Sequence, residues 1–98
     1  MDAVKEEIEA LHDFFVAWFT GRADEHDFEA GFLKRFDPDF HLIPPAGTLL
    51  DLNDIASSIR QGHASNPDFR IAIRDVQIRK VFDGHILATY EEWQRNAL

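Results

Sequence analysis

Residues 69–95 read FRIAIRDVQIRKVFDGHILATYEEWQR, and this stretch decides the fold. Phe69 to Arg74 alternates apolar and polar residues, the period of a strand with one buried face. Asp83-Gly84 stands between Val81-Phe82 and Ile86-Leu87. An Asp-Gly pair flanked by apolar residues marks a two-residue hairpin turn, because both turn positions need positive φ. Thr89 to Trp93 is rich in β-formers and continues the second strand. The stretch therefore predicts one long hairpin over Phe69–Arg95, ending three residues before Leu98. A final strand is a sheet edge, and an edge must be paired, covered or charged.

The hairpin's first strand changes phase. Phe69, Ile71 and Ile73 share one face, whereas Val76 and Ile78 share the other. Either a bulge near Arg74-Asp75 resets the register, or the two ends of the strand bury opposite faces. The second arrangement suits a strongly curved sheet with helices on one side and a partner on the other, and is the one expected. In the last strand, Tyr90 and Glu92 share a face with Ile86 and Ala88, and Trp93 lies on the opposite face with Leu87, Thr89 and Glu91.

Upstream of the hairpin the period is helical. Val4, Ile8, Leu11, Phe15 and Trp18 form one apolar stripe, widened by Phe14 and Phe19. Gly21 is a natural stop. Asp24 can cap a second helix reaching about Arg35, with Phe28, Phe32 and Leu33 inward. Phe40 to Ile43 makes a short strand that Pro44-Pro45 must end or leave at an edge. Thr48 to Leu50 makes another. Asp51 caps a third helix over Leu52–Gln61, with Asp54 three residues on and Gly62 beyond its end. The elements make one α+β domain, 1–98, of three helices and about four antiparallel strands.

Composition narrows function by exclusion. A chain of 98 residues buries about 60–65% of its unfolded surface, so nine Phe and two Trp matter to its core. The net charge of −8 argues against nucleic acid and against anionic membrane surfaces. The charge is uneven. Residues 1–54 carry 13 Asp/Glu against 4 Lys/Arg, and residues 55–98 carry 5 against 6. Without cysteine there is no disulfide, thiolate nucleophile or zinc–thiolate site. The N-terminus is too acidic for a signal peptide, and a cytoplasmic location is the default expectation.

The order helix, helix, short strand, Pro-Gly turn, short strand, helix, long hairpin resembles the nuclear transport factor 2-like superfamily. So do Asp39-Phe-His-Leu-Ile-Pro-Pro-Ala-Gly47 before the third helix and Tyr90-Glu-Glu-Trp-Gln94 in the last strand. The group includes the SnoaL-like polyketide cyclases and the ketosteroid-isomerase-like proteins. The resemblance implies a cystatin-like cone in which a curved antiparallel sheet wraps the N-terminal helix and leaves an apolar pocket. It also implies a homodimer through the outer face of the sheet. Members usually add two strands after the position of Tyr90–Arg95, so the resemblance implies a chain truncated at the C-terminus, a trimmed natural variant, or a chain completed by a partner strand. Ketosteroid-isomerase-like members place a catalytic Asp just before a Pro on the first strand, where this chain has Ile43. Helix 1 offers Phe14, Phe15 and Trp18 but no Tyr hydroxyl. That activity therefore does not transfer directly.

Candidate site residues follow from this pattern. His41 shares a strand face with Ile43, the face the resemblance turns toward the pocket, and an imidazole there can act as base or anchor. Tyr90 and Glu92 can supply a hydroxyl donor and a carboxylate. The plainer reading pairs Glu91 or Glu92 across the hairpin with Arg70, Arg74 or Arg79. Phe14, Phe15 and Trp18 line a pocket if the cone stays open, and otherwise form core. Asp24-Glu25-His26-Asp27 looks like a set of metal ligands but is better explained as a capped helix start. His12, His63 and His85 are scattered, without zinc spacing. No metal or cofactor is expected. Three functions fit: non-catalytic binding of a small apolar or polar-headed ligand; an acid–base isomerase, cyclase or dehydratase using His41 with Tyr90 or Glu92; or an interaction module that works through its hairpin.

Overall fold

The computed structural model describes residues 2–44 and 46–97. Met1, Pro45 and Leu98 lie outside them. Helix α1 runs Asp2–Thr20 and stops where Gly21 takes φ +85°, a left-handed conformation that glycine adopts without steric penalty. The second helix is not continuous. A 3₁₀ turn at Glu25–Asp27, one α turn at Phe28–Gly31 (α2) and a second 3₁₀ turn at Leu33–Arg35 replace the expected single helix. Gly31 shows one local constraint, since a Cβ there would overlap the Phe14 ring of α1. The backbone at Phe32, φ −122° and ψ −68°, then leaves helical geometry.

That broken segment carries an aromatic ladder. Phe28, Phe32, Phe36 and Phe40 stack in succession, with ring centroids 5.2, 4.9 and 4.6 Å apart. Offset aromatic pairs at such distances contribute about 0.5–1.5 kcal/mol each beyond their buried area. The core lies where this ladder meets α1 and α3. Trp18, Phe28 and Phe32 are fully buried there. The Trp18 indole donates to the Ile59 carbonyl at 2.7 Å, tying α1 to the end of α3. Helix α3 occupies Leu52–Gln61, as the sequence predicts. Asp51 accepts from the Asp54 backbone N–H at 2.8 Å, and Asp54 accepts from that of Asp51 at 3.2 Å. Two first-turn donors are thereby satisfied.

The strands are β1 (His41–Leu42), β2 (Leu50–Asp51), β3 (Arg70–Phe82) and β4 (His85–Arg95). Among the described residues they form two separate antiparallel ladders, β1–β2 and β3–β4. Asp83 and Gly84 take φ +44° and +75°, the turn their sequence predicts. The phase change in β3 is resolved by bulges, contrary to the expectation that its two ends bury opposite faces. Arg74 pairs with Glu91 and Gln77 with Thr89, so β3 spends one extra residue there, and Asp75 turns to φ +54°. A second shift follows between Ile78 and Lys80. Ile71, Ile73 and Ile78 consequently face the same way, opposite Gln94, Glu92 and Ala88. This inner face packs on α1. Among the described residues no helix is long and apolar enough to cross a membrane.

Candidate functional site

Between α1, the aromatic ladder, α3 and the inner face of the hairpin lies a cavity of about 420 Å³. Its walls are apolar, supplied by residues such as Phe15, Phe32, Phe36, Leu50, Ile59 and Phe69. Polar groups collect at the hairpin side, where β4 presents Tyr90, Glu92 and Gln94, and α1 presents His12. His12 belongs to the apolar stripe of α1, four residues after Ile8 and three before Phe15, so helix geometry carries it inward. It is 4% exposed. Phe15 and Tyr90 each meet its ring edge-on, with centroids 5.4 Å away.

Both imidazole nitrogens are engaged. The Ile8 carbonyl, 2.7 Å from Nδ1, can only accept, which places a proton on Nδ1. Glu92 Oε1 lies 2.9 Å from Nε2. Burial alone would lower the His12 pKa. The hydrogen bond to Glu92, the bond to Ile8 and the negative charges of Glu92 and Asp13 outweigh it, and the pKa is raised. Glu92 moves the other way. The hydrogen bond from His12 lowers its pKa against a smaller opposing effect of burial, helped by a bond from Gln94. The pair is thus an imidazolium facing a carboxylate, the proton resting on histidine. Gln94 donates to Glu92 Oε2 at 2.6 Å. The Tyr90 hydroxyl stands 3.4 Å from His12 Nε2, too far for a strong bond. Burial and the Glu92 charge raise its pKa, so it stays a protonated donor.

No family model matches the chain, and no curated protein matches it in sequence. Its fold does have a counterpart. A crystal structure from Pseudomonas aeruginosa, described as an NTF-2-like protein of unknown function, superposes with a TM-score of 0.89 at 25% identity, over 97% of this chain and 75% of that one. The chain has the fold of the nuclear transport factor 2-like superfamily. Its α+β architecture is the cone of that group.

Within this nuclear transport factor 2-like cone, the residues singled out from sequence separate into two sets. Tyr90, Glu92 and Phe15 line the cavity. His41 and Ile43 do not. Phe40 and Leu42 occupy the cavity-facing positions of that strand, leaving His41 exposed and Ile43 67% exposed. The aromatic ladder fixes this phase by drawing Phe40 onto Phe36. Trp18 is core instead of pocket wall. Phe14 stacks against Trp18 with centroids 5.9 Å apart. His12, the residue that completes the cluster, is legible only as a histidine on an apolar helical stripe. Asp27 turns back to accept from the Asp24 backbone N–H at 3.0 Å. Among the described residues no three potential ligands gather in a metal-binding group.

Proposed function

We propose that the chain is a non-catalytic small-molecule-binding protein of the nuclear transport factor 2-like type. Its ligand has an apolar body and one polar head that both donates and accepts a hydrogen bond. The body suits the aromatic walls of the cavity. The head suits Glu92, an ionised acceptor, beside the Tyr90 hydroxyl, a donor with no strong partner among the described residues. The carrying observation is the His12–Glu92 pair at 2.9 Å, which keeps a carboxylate charged at the edge of an apolar cavity.

Binding is favoured over turnover by how that pair is held. His12 has Ile8 on one nitrogen and Glu92 on the other, so it has no free nitrogen for proton exchange with a ligand. Glu92, with a lowered pKa, is a weak base. A second reading, acid–base catalysis on an apolar substrate, draws support from three proton-carrying groups in one cavity, with Tyr90 as acid and Glu92 as base.

Titration with a naphthol, an apolar fluorescent body bearing one hydroxyl, tests the proposal. Saturable binding is expected, weakened about tenfold by Glu92→Gln, because a hydrogen bond to a charged group contributes roughly 1.5–3 kcal/mol. Naphthalene, lacking the hydroxyl, should lose a similar factor and be indifferent to the substitution. Equal affinity of the parent and Glu92→Gln proteins for the naphthol would overturn the proposal.

A further inference from the structure

The edge of β3 that faces away from β4 borders a groove of about 420 Å³, lined by Ile71, Ala72 and Ile73 on the strand and by Glu9, His12 and Asp13 on α1. Three consecutive strand residues beside one groove mark an edge, since a sheet face would show only alternate ones. Among the described residues no strand pairs with β3 on this side. From Arg70 to Arg74 the ladder to β4 is regular, and the bulge at Asp75 ends it. Alternate residues of such a strand aim their backbone N–H and C=O groups away from the partner. Among the described residues, no backbone or side-chain hydrogen bond from another segment reaches the outward groups of Arg70 to Arg74. The groove is distinct from the apolar cavity, and His12 stands between the two.

The two flanks of this edge carry opposite charge. On the α1 side stand Glu9, half-buried, and Asp13, exposed, one helical turn apart. Lys5 lies one turn before Glu9, yet neither carboxylate has an ion-pair partner among the described residues. On the outer side Arg70 and Arg74 flank Ala72. Arg70 donates to the Phe69 carbonyl at 2.6 Å, and Arg74 lies over the Trp93 ring at 5.1 Å. The carboxylates near them are turned elsewhere. Glu91, opposite Arg74, accepts from the Trp93 indole at 2.9 Å, and Asp75, on the bulge, accepts from Gln77 at 2.7 Å.

We propose that the free edge of β3 from Arg70 to Arg74 accepts an extended peptide strand whose side chains alternate basic and acidic. Its backbone pairs with the outward N–H and C=O groups of β3. A strand's two-residue period sends its cations under α1, toward Glu9 and Asp13, and its carboxylates to the outer face, beside Arg70 and Arg74. Charge favours this occupant over a second copy of the chain. In a continuous sheet joined along this edge, the outer residues that two copies offer each other are Arg70, Ala72 and Arg74 in every register. No carboxylate is among them. Glu9 and Asp13 of both copies would also meet along the same seam, and like charges so placed are destabilising.

The test is an octapeptide alternating lysine and glutamate, titrated by calorimetry while the backbone amides of the protein are followed by nuclear magnetic resonance. Saturable binding is expected, with amide shifts centred on Arg70 to Arg74 and on the turn of α1 that holds Glu9 and Asp13. An octapeptide of the same composition, with its lysines and glutamates in consecutive pairs, cannot sort the two charges onto opposite faces. It should bind roughly tenfold more weakly. Glu9→Gln combined with Asp13→Asn keeps side-chain shape and should weaken binding of the alternating peptide by a similar factor. Should that variant fold poorly, Arg74→Gln, on the exposed outer face, should weaken binding about threefold with the thermal melt little changed. Equal binding of the two octapeptides, shifts centred away from this edge, absence of saturable binding, or a sedimenting dimer that protects the amides of Arg70 to Arg74 would each overturn the proposal.

Discussion

Glu91 and Glu92 are adjacent and chemically identical, yet they serve opposite faces of one strand. Glu92 points inward, meets a buried imidazole at 2.9 Å and has its pKa pulled down. Glu91 points outward, opposite Arg74, and among the described residues accepts only from the Trp93 indole. The same contrast runs along the whole hairpin. Its inner face is apolar with one charge pair, and its outer face is basic and aromatic. A strand's two-residue period turns a single stretch of sequence into two surfaces with different chemistry.

The largest effect should separate the residue that leads into β3 from the residue that ends it. Phe69 is 7% exposed on the cavity wall and meets Phe19 edge-on at 5.6 Å. Phe69→Ala should cost about 3 kcal/mol in denaturant unfolding. Phe82, near the turn and 47% exposed, should cost less than about 1 kcal/mol when changed to alanine. Similar losses at the two positions would mean that the hairpin tip is packed against something that buries it.

A smaller effect concerns the charge pair and depends on pH. His12 has a pKa raised above its ordinary 6.5, so its contribution is complete below that value and fades as pH rises through the raised pKa. Glu92 has a pKa lowered below 4.5, so its contribution is complete above that value and fades as pH falls through the lowered pKa. Stability owed to the pair should therefore peak between 4.5 and 6.5. Glu92→Gln should lower stability there by about 1 kcal/mol and flatten the profile. Glu91→Gln should change it by less than about 0.5 kcal/mol at any pH. Thermal melts across pH on the three proteins check this.

Local chemistry made much of this structure readable beforehand. Gly21, Asp51 with Asp54, and Asp83-Gly84 each mark a boundary by a short-range requirement of the backbone, and each boundary stands where it was expected. Contacts between distant segments were harder to read. The break in the second helix involves Gly31 lying against Phe14, seventeen positions earlier. The strand phase that exposes His41 depends on Phe40 joining a ladder of rings built from three preceding turns. A two-residue strand offers no period of its own to settle the matter. Of the site, the β4 half was legible, because Tyr90 and Glu92 alternate with Trp93. His12 was not singled out, because a histidine on a helical stripe becomes informative only once Glu92 is known to face it.

The central claim is that His12 and Glu92 form an ionised pair in the cavity, with the proton on histidine. Following the His12 imidazole by nuclear magnetic resonance across a pH titration tests this most directly, in the parent protein and in Glu92→Gln. The account predicts a doubly protonated ring that titrates above 6.5, and a clear fall in that midpoint when Glu92 is neutralised. A ring that titrates at or below 6.5, unchanged by the substitution, would contradict it.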